Sequence, residues 1–195
     1  MDPKVLRDLL LNSPQTLVGG SGQNLACVAV ILRVTDGETV CCFIRRAHNP
    51  KDPWSGQIAF PGGKKDFADQ DDMQTAQRET TEEIGLSIGR QDFLGYLPDI
   101  QARNREGVQN FFIRPLVFFY EGDIGQIQLN KKEVDEVFWI DLAFLQNPNS
   151  KVDFRLPGRS EIFPAIRLLT GDILWGLTHS IVTELVQVSF KNRLR

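Results

Sequence analysis

The chain has 195 residues, 42% of them hydrophobic, and a formal net charge of −3. That length and apolar content suit one well-filled core, and no apolar run approaches the length of a membrane span. The slightly acidic balance argues against a nucleic-acid binder, whose surface is basic as a rule, but leaves room for an anionic small molecule that needs only local cations.

Met1 to Asn12 mixes Asp2, Lys4, Arg7 and Asp8 with Leu and Val, the pattern of a short amphipathic helix. A secretory signal needs a longer apolar core and a cleavage site. Leu25 to Leu32 is a continuous apolar run of strand length, expected at the centre of a sheet. Thr35-Asp36-Gly37-Glu38 reads as a turn, with Thr39 to Ile44 as its hairpin partner. Cys27, Cys41 and Cys42 fall in these apolar runs without paired or metal-ligand spacing, so they read as buried reduced thiols and point to the cytoplasm. Asn49 to Pro53 is a loop leading to Trp54, and Phe60-Pro61-Gly62-Gly63 a strand running into a tight loop. Glycine there lets backbone approach a ligand, and a loop carbonyl can complete a metal shell.

A helix follows. Asp71 is its expected N-cap with Gln74 three residues on, Met73, Ala76, Thr80 and Ile84 form its buried stripe, and Gly85 stops it. Glu79, Glu82 and Glu83 share one face, where like charges repel. Three carboxylates kept there suit a hard divalent cation, Mg²⁺ above all, which bridges carboxylates to phosphates. Arg78, four residues before Glu82, is placed to pair with it. The bland alternative is a solvated, charged helix face. Phe93 to Leu97 and Phe111 to Tyr120 read as strands, Pro115 implying an edge or a bulge in the second. Val134 to Ile140 is another strand. Ile173 to Val188 reads as a helix, with Leu174, Leu177, Ile181, Leu185 and Val188 on its core stripe and Trp175 as an anchor. Such alternation suggests an α/β sandwich. Arg45, Arg46, Lys64, Lys65, Arg103 and Arg105 surround the acidic helix in sequence, and Arg45, Arg46 and Lys64 are the expected substrate-binding cations.

Gly63 to Leu86 resembles the Nudix box, G-x(5)-E-x(7)-R-E-u-x-E-E-x-G-u with u apolar, at Gly63, Arg78, Glu79, Glu82, Glu83, Gly85 and Leu86. It departs in three places. The run to Arg78 is one residue longer. Asp69, Gln70 or Asp71 stands where the first Glu belongs, and Thr80 replaces an apolar residue. The resemblance implies the Nudix fold, a mixed β-sheet sandwiched between α-helices, with a core of about 24–145 in a single domain. It also implies Mg²⁺ (Mn²⁺ possible) held by Glu79, Glu82, Glu83 and the Gly63 carbonyl. Water then attacks a nucleoside diphosphate derivative. Glu82 is a ligand or base, Glu83 a ligand, and Arg78 serves the catalytic set. A base outside the box is common in the family, and Glu133 and Glu136 are the candidates here. Partners are then a small nucleotide, with neither nucleic acid nor membrane, in a monomer or homodimer. Family members that have lost catalysis usually lose a box carboxylate, and all three are present here.

Arg46-Ala47, Gly56 and Phe60-Pro61-Gly62-Gly63 are similar to the signature of the family's coenzyme A pyrophosphatases, L-L-T-x-R-[SA]-x(3)-R-x(3)-G-x(3)-F-P-G-G. Leu174-Trp175-Gly176-Leu177-Thr178 also looks like that subgroup. Cys42-Phe43-Ile44 replaces the opening, one extra residue stands between Arg46 and Gly56, and Asp52 falls where the second Arg belongs. The implied substrate is coenzyme A or acyl-CoA, with a nucleoside diphosphate sugar or ADP-ribose as the alternative.

Overall fold

The computed structural model describes residues 2–13, 24–50, 52, 54–104, 107–156, 158 and 160–190, and of 103, 104 and 107–109 the backbone alone. In chain order its elements are α1 (Pro3–Leu11), β1 (Leu25–Thr35), β2 (Glu38–Arg46), β3 (Ile58–Ala59), β4 (Gly62–Lys64), α2 (Asp72–Ile84), β5 (Phe93–Tyr96), β6 (Ile100–Asn104), β7 (Gly107–Phe119), β8 (Val134–Asp141), α3 (Leu142–Gln146), β9 (Lys151–Arg155), β10 (Ile162–Arg167), β11 (Ile173–Trp175) and α4 (Gly176–Phe190).

β1 is apolar from Leu25 to Leu32 because both of its faces are covered there. Ala26, Val30 and Leu32 enter a core shared with α1 and α4, while Leu25, Cys27, Ala29 and Ile31 enter one shared with α2. β2 alternates likewise, with Cys41 and Phe43 toward α1 and α4, and Cys42 and Ile44 toward α2. The β1–β2 turn holds Asp36 and Gly37 at φ 52° and 86°, the left-handed pair that a two-residue hairpin turn demands. β1 runs parallel to β7, and its other neighbours, β2 and β4, are antiparallel. The large sheet is thus mixed and lies between helices, an α/β sandwich in the order β3-β2-β1-β7-β5, with β4, β6 and β8 pairing off that path.

Three expectations need correction. Pro115 lies in an interior strand, paired with Val28 of β1. Its carbonyl accepts the Leu97 N–H at 3.1 Å, so its nitrogen faces the same side, where β5 ends and β6 begins, and no ladder donor is lost there. The Gly62-Gly63 turn is itself a short strand, β4, against β1. The C-terminal helix begins at Gly176, with φ 65°; Ile173–Trp175 instead forms a small second sheet with β9 and β10. All three cysteines are buried and unpaired, as expected.

Candidate active site

Helix α2 starts where the sequence places it. Asp71 caps it by accepting the Gln74 N–H at 2.8 Å, and Gly85 ends it in the left-handed conformation at φ 70°. Met73, Ala76 and Ile84 anchor it on the sheet. The glycine pair of β4 fits beneath it. A Cβ on Gly62 would lie 2.4 Å from the Cys27 carbonyl oxygen, and one on Gly63 would lie 2.5 Å from the Glu79 carboxylate. At 62 any other residue would push the strand off β1, and at 63 a side chain would displace the Glu79 carboxylate.

Glu83 is only 2% exposed, and its Oε2 accepts the Gly62 N–H at 2.9 Å. Burial pushes its carboxyl up to about 8; the Gly62 N–H opposes this, the Glu79 charge adds to it, Arg46 opposes it and Glu133 adds to it. Burial raises Glu79 as well, against the pull of Arg78. Arg78 is the hub of this face. Its Nη1 donates to Glu79 at 2.8 Å and to Glu82 at 3.1 Å, and its Nη2 to the Lys64 carbonyl at 3.1 Å. Its Nε and Nη2 grip the two oxygens of Asp69 at 3.0 and 2.9 Å. Asp69 is held down to about 2 by that guanidinium first of all. Asp69 therefore fills the first acidic position, and the extra residue of the box falls between it and Arg78.

The C-terminal carbonyls of α2 dock a further segment. Ile84 and Glu83 accept the N–H groups of Gln128 and Asn130 at 3.0 and 2.9 Å, and the Glu133 carbonyl accepts the Ala47 N–H at 2.8 Å. This brings the Glu133 charge within reach of both Glu79 and Glu83. Glu136 is placed otherwise. It pairs across the ladder with Arg45, and Arg45 Nη1 donates to it at 2.8 Å while Nη2 donates to Asp172 at 2.5 Å. Arg45 also stacks 5.0 Å above the Phe138 ring. Arg45 and Glu136 thus lie on the α1/α4 side of the sheet, away from the carboxylates, because side chains alternate along β2.

Lys64 likewise turns to that side, its Nζ 5.6 Å from the Phe111 ring. Arg46, by the same alternation, faces α2, and its charge acts on Glu83. Lys65 pairs with Asp72 at 2.8 Å. Arg105 lies outside the described residues, as does the side chain of Arg103.

One cluster escaped the sequence reading. Arg114 of β7 donates to Asp72 at 2.5 Å and to both oxygens of Asp99, at 2.9 and 2.7 Å, tying the start of α2 to the sheet. Its signal was an arginine inside the apolar run Phe111–Tyr120, which requires a buried counter-charge.

Among the described residues no three Asp, Glu, His or Cys side chains converge on a metal position as they stand; Arg78 supplies the positive charge between Glu79 and Glu82. The donor set nevertheless suits a hard divalent ion. Glu83 is buried among like charges, and the glycine at 63 leaves the backbone beside Glu79 uncovered.

A model of the NUDIX domain matches residues 24–157, extending past the expected core and through β9. The chain belongs to the Nudix family and is a pyrophosphohydrolase. It is similar to the mitochondrial coenzyme A diphosphatase NUDT8 of Mus musculus, 32% identical over 164 residues that make up 82% of this chain and 75% of that protein. The Homo sapiens NUDT8 is 31% identical over 163 residues, 82% of this chain and 66% of that protein. The peroxisomal coenzyme A diphosphatase NUDT7 of Mus musculus is 36% identical over 93 residues, 48% of this chain and 37% of that protein. Among solved structures, a MutT/nudix family protein from Enterococcus faecalis shares the fold at TM-score 0.56 and 17% identity, over 91% of this chain and 66% of that one. The NUDIX domain of Shewanella oneidensis NrtR does so at TM-score 0.51 and 21% identity, over 72% and 86%. Among the described residues no helix is long and apolar enough to cross a membrane.

Proposed function

We propose that this enzyme hydrolyses the diphosphate linkage of coenzyme A or acyl-CoA with Mg²⁺, giving adenosine 3′,5′-bisphosphate and 4′-phosphopantetheine or its acylated form. The observation that carries the substrate is the similarity to the mouse coenzyme A diphosphatase NUDT8 along 82% of this chain. The site supports the chemistry. Glu79, Glu82, Glu83 and the Gly63 carbonyl would hold the ion, and Mn²⁺ would be an acceptable substitute for such oxygen donors. When bound, the ion neutralises the diphosphate and acidifies an attacking water. Arg78, clamped by Asp69, orients Glu79 and Glu82. Glu133, carried to this face by the segment that docks on the end of α2, takes the proton of the water at its carboxylate. Glu136, committed to Arg45, is withdrawn from that role. Arg46 contacts the diphosphate from the end of β2. The buried, unpaired thiols support a reducing compartment, of which the cytoplasm is one.

Asp52 favours a second reading. It stands where the coenzyme A signature has arginine and is bound to Arg46 at 2.6 Å, which leaves the 3′-phosphate of coenzyme A without that arginine. ADP-ribose and nucleoside diphosphate sugars lack this phosphate. Steady-state rates on coenzyme A, ADP-ribose and GDP-mannose separate the two. The first reading expects coenzyme A to lead in kcat/KM by at least about tenfold, and it fails if either of the others leads.

A further inference from the structure

The loop between β2 and β3 is folded around one ion pair. Asp52 Oδ2 accepts from Arg46 Nε at 3.1 Å and from Nη2 at 2.6 Å, and its Oδ1 accepts the Trp54 N–H at 2.9 Å. The remainder of the loop holds Asp52 in place. The Asp52 N–H donates to the Asn49 carbonyl at 2.9 Å, and the Ser55 N–H donates to the Asp52 carbonyl at 3.1 Å. Ser55 Oγ accepts the Asn49 N–H at 2.8 Å and meets His48 Nδ1 at 3.2 Å. At its base the Arg46 N–H donates to the Gln57 carbonyl at 3.0 Å. The Asp52 side chain is 15% exposed and that of Arg46 32%, so the clamp is sheltered on the acid side and more open on the guanidinium side.

We propose that Asp52 is a positioning residue, whose carboxylate grips the Nε–Nη2 edge of Arg46 and thereby aims the rest of that guanidinium at the diphosphate of the substrate. This rests on the reading of the site as one that binds a nucleoside diphosphate derivative. A guanidinium is planar and rigid, so fixing one edge fixes where Nη1 points. Arginine presented in this way binds phosphate oxygens with less entropy lost per hydrogen bond than a free side chain. The charge reversal at position 52 then has a different meaning from the one its sequence suggests. Asp52 faces Arg46, and its effect on the substrate passes through Arg46.

The test compares Asp52→Asn, Asp52→Glu, Arg46→Ala and the double variant Asp52→Asn/Arg46→Ala. Two quantities are read on each: the Kd of ADP with Mg²⁺ by titration calorimetry, and kcat and KM on whichever diphosphate the enzyme turns over. Asp52→Asn is expected to raise Kd and KM about tenfold, the loss of roughly one charge-assisted hydrogen bond, while kcat changes less than about threefold. Asp52→Glu recovers most of that loss. The double variant binds no more weakly than Arg46→Ala, since residues acting through one another are not additive. The proposal is overturned if Asp52→Asn leaves Kd unchanged, if its loss adds in full to that of Arg46→Ala, or if the wild type does not bind ADP. A protein that binds ADP with this pattern yet turns over no diphosphate contradicts the proposed activity and leaves the positioning role standing.

Discussion

Thr80 stands on α2 where the Nudix box has an apolar residue, and it is fully buried. Its hydroxyl has no hydrogen-bond partner among the described residues, and an unsatisfied buried hydroxyl lowers stability. Thr80→Val removes the hydroxyl and keeps the shape. It is expected to stabilise the fold by roughly 1 kcal/mol, a melting temperature about 2–4 °C higher by calorimetry; a lower melting temperature would show that the hydroxyl has a partner. Glu83 makes the opposite compromise. Burial first of all raises its carboxyl to about 8, so in the metal-free protein the folded state keeps a proton that the unfolded state has already released. Stability from this group is therefore complete below the ordinary glutamate range and falls as pH rises through about 8. A bound cation reverses that trend by favouring the carboxylate. In EDTA the melting temperature is expected to decline across this window, and in Glu83→Gln the decline flattens. Identical slopes in the two proteins would contradict the burial argument.

At the scale of elements, α2 was legible because each of its determinants is local. A cap, a stop glycine and an apolar stripe fall within fifteen residues, and the carboxylates follow from helical spacing alone. The choice between Glu133 and Glu136 was not legible, because it depends on partners far away in sequence. The end of α2 captures Gln128 and Asn130, and Arg45 from the neighbouring strand captures Glu136. Periodicity gives alternate faces, but only pairing says which face each strand turns to the site. Glu133→Gln is accordingly expected to lower kcat by about 10²-fold or more, while Glu136→Gln leaves kcat within about threefold. Rates measured at saturating substrate decide this, and the reverse order would move the base to Glu136. Arg45 and Lys64 turn to the α1/α4 side for the same reason, since nearness in sequence to the box does not choose a side of the sheet.

Across the whole molecule the legible part is the mixed sheet and its covering helices, whose apolar runs record burial on one face or two. The small sheet of β9, β10 and β11 was missed. β9 alternates between exposed and half-buried positions but has only five residues and none buried, β10 is less regular, and Ile173–Trp175 continues a helical stripe in sequence although α4 starts only at the left-handed Gly176. The large sheet packs against α2 and pairs β4 with β1, which holds the acidic side chains of α2 against the glycine pair of β4. The most direct test is mass identification of the products formed from coenzyme A with Mg²⁺, with EDTA, and by Glu83→Gln with Mg²⁺. Metal-assisted hydrolysis at these carboxylates predicts adenosine 3′,5′-bisphosphate and 4′-phosphopantetheine in the first case, and a loss of about 10²-fold or more in the other two. Undiminished release of the same products in EDTA, or by Glu83→Gln, would contradict it.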